Sequence, residues 1–114
     1  NLETRQVTYE ATLELLSRQP DLRGIYIAGG GMEGAIAALR ETRPPGKVAL
    51  VVNELTEDSR KALVDRYITM VIATPLQDLS RDLIGLMITA VRDGPDSTSS
   101  QHFMTPQLYV PESF

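Results

Sequence analysis

Three short apolar runs at near-regular intervals constrain this chain more than any other feature. They begin near Gly24, Lys47 and Thr69, a little over twenty residues apart, and a stretch with helical spacing of apolar residues follows each of them. Right-handed helical crossovers of this length join parallel strands. The sequence therefore predicts an α/β fold, with a mostly parallel sheet in a three-layer α-β-α arrangement.

The spacing of apolar residues also predicts which faces the first elements bury. A helix over Gln6 to Gln19 precedes the first strand, and its packing face is expected to carry Val7, Ala11 and Leu15. The run from Lys47 to Val52 is expected to be buried on both faces, as central parallel strands are. The second helix is expected to pack through Met32, Ala35, Ile36 and Leu39, and the third is expected to begin at Glu57-Asp58.

The last third of the chain predicts a long helix and a returning strand. Thr74-Pro75-Leu76-Gln77 places a threonine at the N-cap and a proline at the first helical position. The helix that follows is apolar over so broad a surface that burial on two sides is expected, and it should end at Asp93-Gly94-Pro95. His102 to Val110 is expected to be extended, with Pro106 confining it to an edge or a bulge.

Composition excludes several classes of function. With 114 residues the chain fits one domain, and without cysteine it has no disulfide framework, thiolate zinc site or cysteine nucleophile. A net charge of −4 with scattered basic residues argues against a nucleic-acid-binding face. The longest apolar stretches are far shorter than the roughly 20 residues of a membrane helix, and the polar start at Asn1 does not read as a signal peptide. We expect a soluble segment with no membrane contact, no cofactor and no metal.

Ligands of parallel sheets bind beyond the carboxyl ends of the strands, so three loops are expected at one edge. They are Gly29 to Met32, Asn53 to Thr56, and Ala73 to Pro75. The candidate ligand-binding residues are Gly29, Gly30, Gly31, Met32, Asn53, Glu54, Ala73 and Thr74. Glu54 is the first choice for a ligand contact because its carboxylate can accept hydrogen bonds from the hydroxyl groups of a polyol. A carboxylate just before a helix start also interacts favourably with the helix dipole, which is the alternative explanation for this residue. His102 has no serine or carboxylate placed to form a triad, so no catalytic residue is assigned and no enzyme activity is expected.

The loop from Gly29 to Gly34 has two interpretations that the residues leave open. It satisfies the pattern G-x-G-x-x-G, and Glu54 follows about 20 residues later, as in dinucleotide-binding folds. The simpler interpretation is a tight strand-to-helix turn that needs glycine for its backbone. A dinucleotide fold begins with the fingerprint strand, whereas a helix precedes this one, which favours the simpler interpretation.

Four segments together resemble the effector-binding region of LacI-type (lac-repressor-like) transcriptional regulators. They are Pro20 to Met32, Gly34 to Glu41, Val51 to Thr56 with Arg60 and Leu63, and Val71 to Pro75. The resemblance implies a periplasmic-binding-protein type I fold. Residues 1–114 would form the C-terminal lobe, while the first lobe and a DNA-binding head would lie outside this sequence. It further implies a sugar-like effector, a cytoplasmic protein, and DNA contact through that helix-turn-helix head alone. Regulators of this type pair as homodimers, and Tyr67, with Arg60 and Leu63 on its helix, is expected to meet the second copy.

The same resemblance assigns roles at the sheet edge and shows where this chain departs from the pattern. The family usually offers an Asn-Asp pair after the first strand, where this chain has Gly29 and Gly30. The acidic residue that binds sugar hydroxyls matches Glu54, and a frequent glutamine falls at Ala73. Each missing hydrogen bond costs on the order of 1 to 3 kcal/mol, so the usual sugar is expected to bind tens-fold more weakly unless other groups replace them. Two alternatives stay open: a periplasmic sugar-binding protein of an ABC transporter and, less favoured, a dinucleotide-binding enzyme domain.

Overall fold

The computed structural model describes residues 2–97 and 101–114. The helices and strands, in chain order, are α1 (Leu2–Arg18), β1 (Gly24–Ile27), α2 (Met32–Thr42), β2 (Ala49–Asn53), α3 (Glu57–Val64), β3 (Met70–Ala73), α4 (Leu76–Asp93) and β4 (Gln107–Tyr109). Short 3-10 turns lie at Pro95–Ser97 and Pro111–Ser113. The chain forms two compact units: the first is Asn1–Ala73 with Leu108–Phe114, and the second is Thr74–Gln107.

The sheet of the first unit is parallel where the sequence predicts it to be. The strand order is β1-β2-β3-β4, and β2 pairs in parallel with both β1 and β3. The α/β fold class with a mostly parallel sheet is therefore confirmed. β4 lies at the edge, as predicted from Pro106, but the predicted strand from His102 to Val110 is too long. Proline has no N–H to donate to a neighbouring strand, and β4 begins only after Pro106.

The core of the first unit lies on one face of this sheet. Leu50, Val52 and Val71 point into it and are fully buried, whereas Val51 is only half-buried and Tyr26 is 56% exposed. The prediction that β2 is buried on both faces is therefore wrong for this unit. The helices contribute the other half of the same cluster through Leu16, Met32, Ile36, Leu39, Ala62 and Leu63. The first unit thus has two layers, with α1, α2 and α3 all packed on the Leu50 face.

The packing face predicted for α1 is wrong. Val7 is 60% exposed and Leu15 is 38% exposed, whereas Thr12 and Leu16 are buried. The Thr12 hydroxyl donates to the Thr8 carbonyl at 2.7 Å, so its burial leaves no unpaired polar group. α1 therefore packs through a different side, and its backbone approaches α2 closely.

Gly34 sets that close approach between α1 and α2. A Cβ atom at this position would overlap the carbonyl oxygen of Arg5 and lie 2.7 Å from the backbone nitrogen of Tyr9. Further along the same pair of helices, the Tyr9 hydroxyl donates to the Glu41 carboxylate. That hydrogen bond, with burial and the negative charge of Glu41, raises the pKa of Tyr9. The remaining α2 prediction is confirmed, since Met32, Ala35, Ile36 and Leu39 are all buried.

In the second unit, α4 begins one residue later than predicted. Pro75 occupies the N-cap with no side-chain cap, and its carbonyl accepts from the Leu79 N–H at 2.9 Å, so Thr74 does not cap this helix. The predicted end at Asp93 is confirmed. No residue of α4 is buried, against the expectation of burial on two sides. The described part of the second unit contains no other long helix or sheet that would cover α4.

Among the described residues, no helix is long and apolar enough to cross a membrane.

We predict that Gly34→Ala destabilises the protein by about 1–3 kcal/mol, because the new methyl group must push two helix backbones apart. Urea unfolding measures the change. Gly30→Ala is the matched control, since its Cβ would meet only the Thr4 methyl group at 3.9 Å, an ordinary contact. Equal losses of stability in the two variants would contradict this account of the helix crossing.

Candidate functional site

The carboxyl ends of β1, β2 and β3 lie at one edge of the first unit's sheet. The parallel register pairs Ile27 with Val52 and Asn53 with Ile72, so the segments that follow these strands share that edge. The prediction that the loops after Ala28, Val52 and Ile72 come together at one edge is confirmed for Gly29 to Met32, Asn53 to Thr56 and Ala73. Thr74, the eighth candidate residue, is the first residue of the second unit.

The side chain of Asn53 ties β1 to β2 at this edge. Its Nδ2 donates to the carbonyl of Ala28 at 3.1 Å, and its Oδ1 accepts from the hydroxyl of Tyr26 at 3.2 Å. Both ends of the amide are therefore engaged within the protein. Asn53 fixes the backbone immediately before the glycine loop, and a ligand would have to compete for its side chain.

Glu54 has a backbone conformation that non-glycine residues rarely adopt. Its φ is 81°, in the left-handed region, and its side chain is exposed. The N–H of Glu54 donates to the Ile72 carbonyl at 3.2 Å, which ties this residue to the end of β3. A left-handed glutamate costs free energy and persists only where its surroundings impose it, and such residues cluster at binding sites.

Ser59 is the residue that holds Glu54 in place, and it was not among the residues predicted for the site. It is fully buried, and its hydroxyl donates to the Glu54 carbonyl at 3.0 Å. The same hydroxyl accepts from the Thr56 N–H at 2.7 Å, while the Thr56 hydroxyl accepts from the Ser59 N–H at 3.1 Å. This capping box fixes the start of α3. The signal was the Thr-x-x-Ser spacing, in which serine replaces the more usual glutamate or glutamine.

The glycine loop between β1 and α2 divides into residues that must be glycine and residues that need not be. Gly31 has a φ of 89°, and a Cβ there would overlap the Thr8 hydroxyl of α1. Gly29 has nothing within 4 Å of its Cβ position, and neither Gly29 nor Gly30 has a positive φ. The fold therefore accounts for Gly31 and Gly34, the second and third glycines of G-x-G-x-x-G, without any pyrophosphate. It does not account for Gly29 and Gly30, which are exposed at the sheet edge.

Two of the predicted site residues can offer a ligand their backbone groups but not their side chains. Met32 is 3% exposed and Ala73 is 7% exposed, so both side chains belong to the core. Met32 begins α2, and no side chain caps this helix at Gly31. Backbone N–H groups at an uncapped helix start attract oxygen atoms of a ligand. This edge of the sheet therefore has backbone without side chains at Gly29 and Gly30 after β1, and the exposed carboxylate of Glu54 after β2.

A groove of about 250 Å³ lies elsewhere in the first unit, among its three helices. Arg5 and Asp58 face each other across it with 3.8 Å between the guanidinium and the carboxylate. Both side chains are at least half exposed, and ion pairs of this kind contribute little. None of the predicted ligand-binding residues lines this groove, so it is distinct from the candidate site.

Side chains that could support catalysis or metal binding do not converge at the sheet edge. His102 pairs with Asp82 at 3.0 Å between Nε2 and Oδ2, and both belong to the second unit. Among residues 2–97 and 101–114, no three His, Asp or Glu side chains are grouped so as to hold a metal ion. What the edge offers is hydrogen bonding.

A family model described as a periplasmic binding protein domain matches residues 1–95. The chain belongs to this family. Among curated protein sequences, none matches it significantly.

Solved structures show the same fold. One is a periplasmic ribose ABC transporter from Conexibacter woesei DSM 14684, with 20% identity and a TM-score of 0.79 over 93% of this chain and 36% of that one. Another is a galactofuranose binding protein, with 19% identity and a TM-score of 0.74 over 96% of this chain and 38% of that one. A third is a putative LacI transcriptional regulator from Bacteroides fragilis, with 14% identity and a TM-score of 0.68 over 88% of this chain and 34% of that one. The chain thus spans a little over a third of the length of these structures.

We predict that Glu54→Gly raises the free energy of unfolding by about 1 kcal/mol, because glycine adopts a positive φ without the steric cost that a side chain carries. Arg66→Gly is the matched comparison, since Arg66 also has a positive φ of 67° but lies at the other end of α3. Both variants should be stabilised in urea unfolding. A loss of stability in Glu54→Gly alone would mean that the glutamate side chain supports the fold.

Proposed function

We propose that this chain is the effector-binding lobe of a LacI-type transcriptional regulator and that its ligand is a sugar or a related polyol. The observation that carries the proposal is Glu54, an exposed carboxylate held in a left-handed conformation by the buried Ser59. A carboxylate beyond the end of a parallel strand is placed to accept hydrogen bonds from ligand hydroxyl groups. The role is binding, with no chemical step.

The ligand would meet two kinds of group at this edge. Its hydroxyl hydrogens would bond to the Glu54 carboxylate, and its oxygen atoms would accept from backbone N–H groups around Gly29 to Met32. The absence of side chains at Gly29 and Gly30 lets a ligand approach that backbone closely. Asn53 would act chiefly by holding the two strand ends in register through its bonds to Ala28 and Tyr26.

A second lobe completes the proposed site. One sheet edge contacts one side of a ligand, so residues 1–114 would form the C-terminal lobe, and the first lobe would close over the ligand. The exposed apolar side chains of α4, which include Leu83, Met87 and Val91, offer a surface for such a lobe. The ligand would favour one arrangement of the lobes by its differential affinity and so change DNA binding by a helix-turn-helix head.

The alternative is a periplasmic sugar-binding protein of an ABC transporter, which the ribose-transporter and galactofuranose-binding relatives favour. The two proposals share the ligand site and differ in the output. A regulator would be cytoplasmic and would bind operator DNA, whereas a transport protein would be exported. A helix-turn-helix encoded upstream of Asn1 would support the regulator, and a signal peptide there would support the transporter.

A homodimer is part of the regulator proposal, but each of the three residues first considered for pairing contacts other residues of this chain. Leu63 is fully buried, and the Tyr67 hydroxyl donates to the Arg43 carbonyl at 3.4 Å. The Arg60 guanidinium lies 4.8 Å from the centre of the Phe114 ring. The exposed α1 residues Val7 and Leu15 are better placed to meet a second copy.

We predict that Glu54→Gln weakens sugar binding by the full-length protein about tenfold or more, because the amide loses the charge and one acceptor that hydroxyl groups use. Isothermal titration with D-ribose, D-galactose, D-glucose and D-xylose measures the change. Glu57→Gln is the matched control, since Glu57 is an exposed carboxylate in the first turn of α3. Unchanged affinity in Glu54→Gln would remove Glu54 from the site.

We further predict that the isolated 114-residue chain binds the same sugar at least about a hundredfold more weakly than the full-length protein, because it supplies one side of the site. The same titration compares the two. Micromolar binding by the isolated chain would contradict the two-lobe proposal.

A further inference from the structure

The C-terminal residues of the chain form a second layer of contacts on α3. The rings of Tyr109 and Phe114 stack with 5.8 Å between their centres and 14° between their planes. The Arg60 guanidinium of α3 lies 4.8 Å from the centre of the Phe114 ring, in the geometry of a cation–π contact. We call Arg60, Tyr109 and Phe114 the C-terminal clasp.

Two further interactions lie beside the clasp, an exposed ion pair and a hydrogen bond that closes a turn. The Arg66 guanidinium lies 3.3 Å from the Glu112 carboxylate, which ties the far end of α3 to the same segment. The turn at Pro111–Ser113 is closed by the Ser113 hydroxyl, which accepts from the Val110 N–H at 3.0 Å. The segment from Tyr109 to Phe114 is therefore a folded strap that contacts α3 at Arg60, in the middle of the helix, and Arg66, just beyond its end.

α3 has reason to need such a strap. It spans only Glu57–Val64, and a helix of two turns is not stable without tertiary contacts. Its inner side is held by the buried residues Ala62 and Leu63. Phe114 holds the outer side through Arg60, the residue that follows Ser59.

The position of α3 in turn determines the position of Glu54. The buried Ser59 hydroxyl donates to the Glu54 carbonyl at 3.0 Å, and the left-handed φ of Glu54 carries a free-energy cost that surrounding contacts must offset. A continuous set of contacts therefore runs from Phe114 through Arg60 and Ser59 to Glu54. Each step is a hydrogen bond, a ring contact or a covalent neighbour.

We propose that the C-terminal clasp positions Glu54 for ligand binding, with Arg60 and Phe114 as positioning residues that do not touch the ligand. The ligand role of Glu54 rests on the proposed function, whereas the support of its backbone does not. The strap follows directly on the second unit along the chain, since Leu108 succeeds Gln107.

The first test measures the backbone and needs no ligand. Hydrogen exchange of the Glu54 amide, which donates to Ile72, should accelerate about three- to tenfold in Phe114→Ala of the full-length protein, the range expected for loss of a ring contact. Phe103→Ala is the matched control, because Phe103 is 86% exposed in the second unit. Exchange at Leu50 should stay unchanged in both variants. An unchanged Glu54 amide, or an equal acceleration at Leu50, would overturn the proposal.

The second test measures ligand affinity in a double-mutant cycle. With the tightest-binding sugar among D-ribose, D-galactose, D-glucose and D-xylose, Phe114→Ala should weaken binding about three- to tenfold and Phe103→Ala less than about twofold. In a Glu54→Gln background the effect of Phe114→Ala should fall below about twofold, because the positioned carboxylate is gone. An equal effect in both backgrounds would assign Phe114 a general structural role and overturn the proposal.

Two further variants keep the outcomes separate. If Phe114→Ala unfolds, Arg60→Gln removes the same contact from the α3 side, and Arg60→Lys should restore part of the affinity because it keeps the cation. If none of the four sugars binds the wild-type protein, the proposed function fails. The hydrogen-exchange result then decides the positioning of Glu54 alone.

Discussion

The close crossing of α1 and α2 at Gly34 is the constraint on which the rest of the first unit depends. The absence of a side chain at Gly34 lets the α2 backbone rest directly against the α1 backbone at Arg5 and Tyr9. The same crossing brings Thr8 against Gly31, which must then adopt its positive φ to start α2. Helix packing therefore accounts for the glycines at positions 31 and 34, but not for Gly29 and Gly30, whose backbone is exposed at the sheet edge.

The sequence predicted the sheet well because its signals are local. A buried parallel strand corresponds to a run of apolar residues, and an amphipathic helix corresponds to apolar residues at helical spacing. β1 to β3 and the buried face of α2 were therefore predicted without tertiary information. The face of α1 was predicted wrongly because the spacing of apolar residues does not show where its backbone meets Gly34. Val7, Ala11 and Leu15 are exposed, whereas Thr12 and Leu16 are buried. Thr74 was taken for a cap because its spacing is right, but the backbone at Pro75 starts the helix one residue later.

The candidate site likewise has some features that the sequence predicted and others that it did not. The position of Glu54 after a parallel strand was predictable, since topology alone places it at the carboxyl edge. Its left-handed backbone and its support by Ser59 were not, because they depend on the buried Ser59, whose hydroxyl and N–H together make three hydrogen bonds to Glu54 and Thr56. Asn53 has a structural role that its position in the sequence did not predict. Its ligand contact stays a prediction, while its hydrogen bonds to Ala28 and Tyr26 tie β1 to β2.

The two units differ in how complete their packing is, and this bears on how a ligand signal would be transmitted. The first unit buries a continuous core around Leu50 and Val52, whereas α4 of the second unit buries nothing and exposes Leu83, Met87 and Val91. Apolar surface of this kind is stabilised only when another element covers it. If the proposed first lobe covers α4, its motion acts on a segment joined to the first unit at both ends. One junction follows Ala73 beside the site, and the other precedes Leu108, where the strap toward Phe114 begins. Lobe movement and the geometry of Glu54 would then be coupled through the chain itself, and ligand binding would need no change in the core.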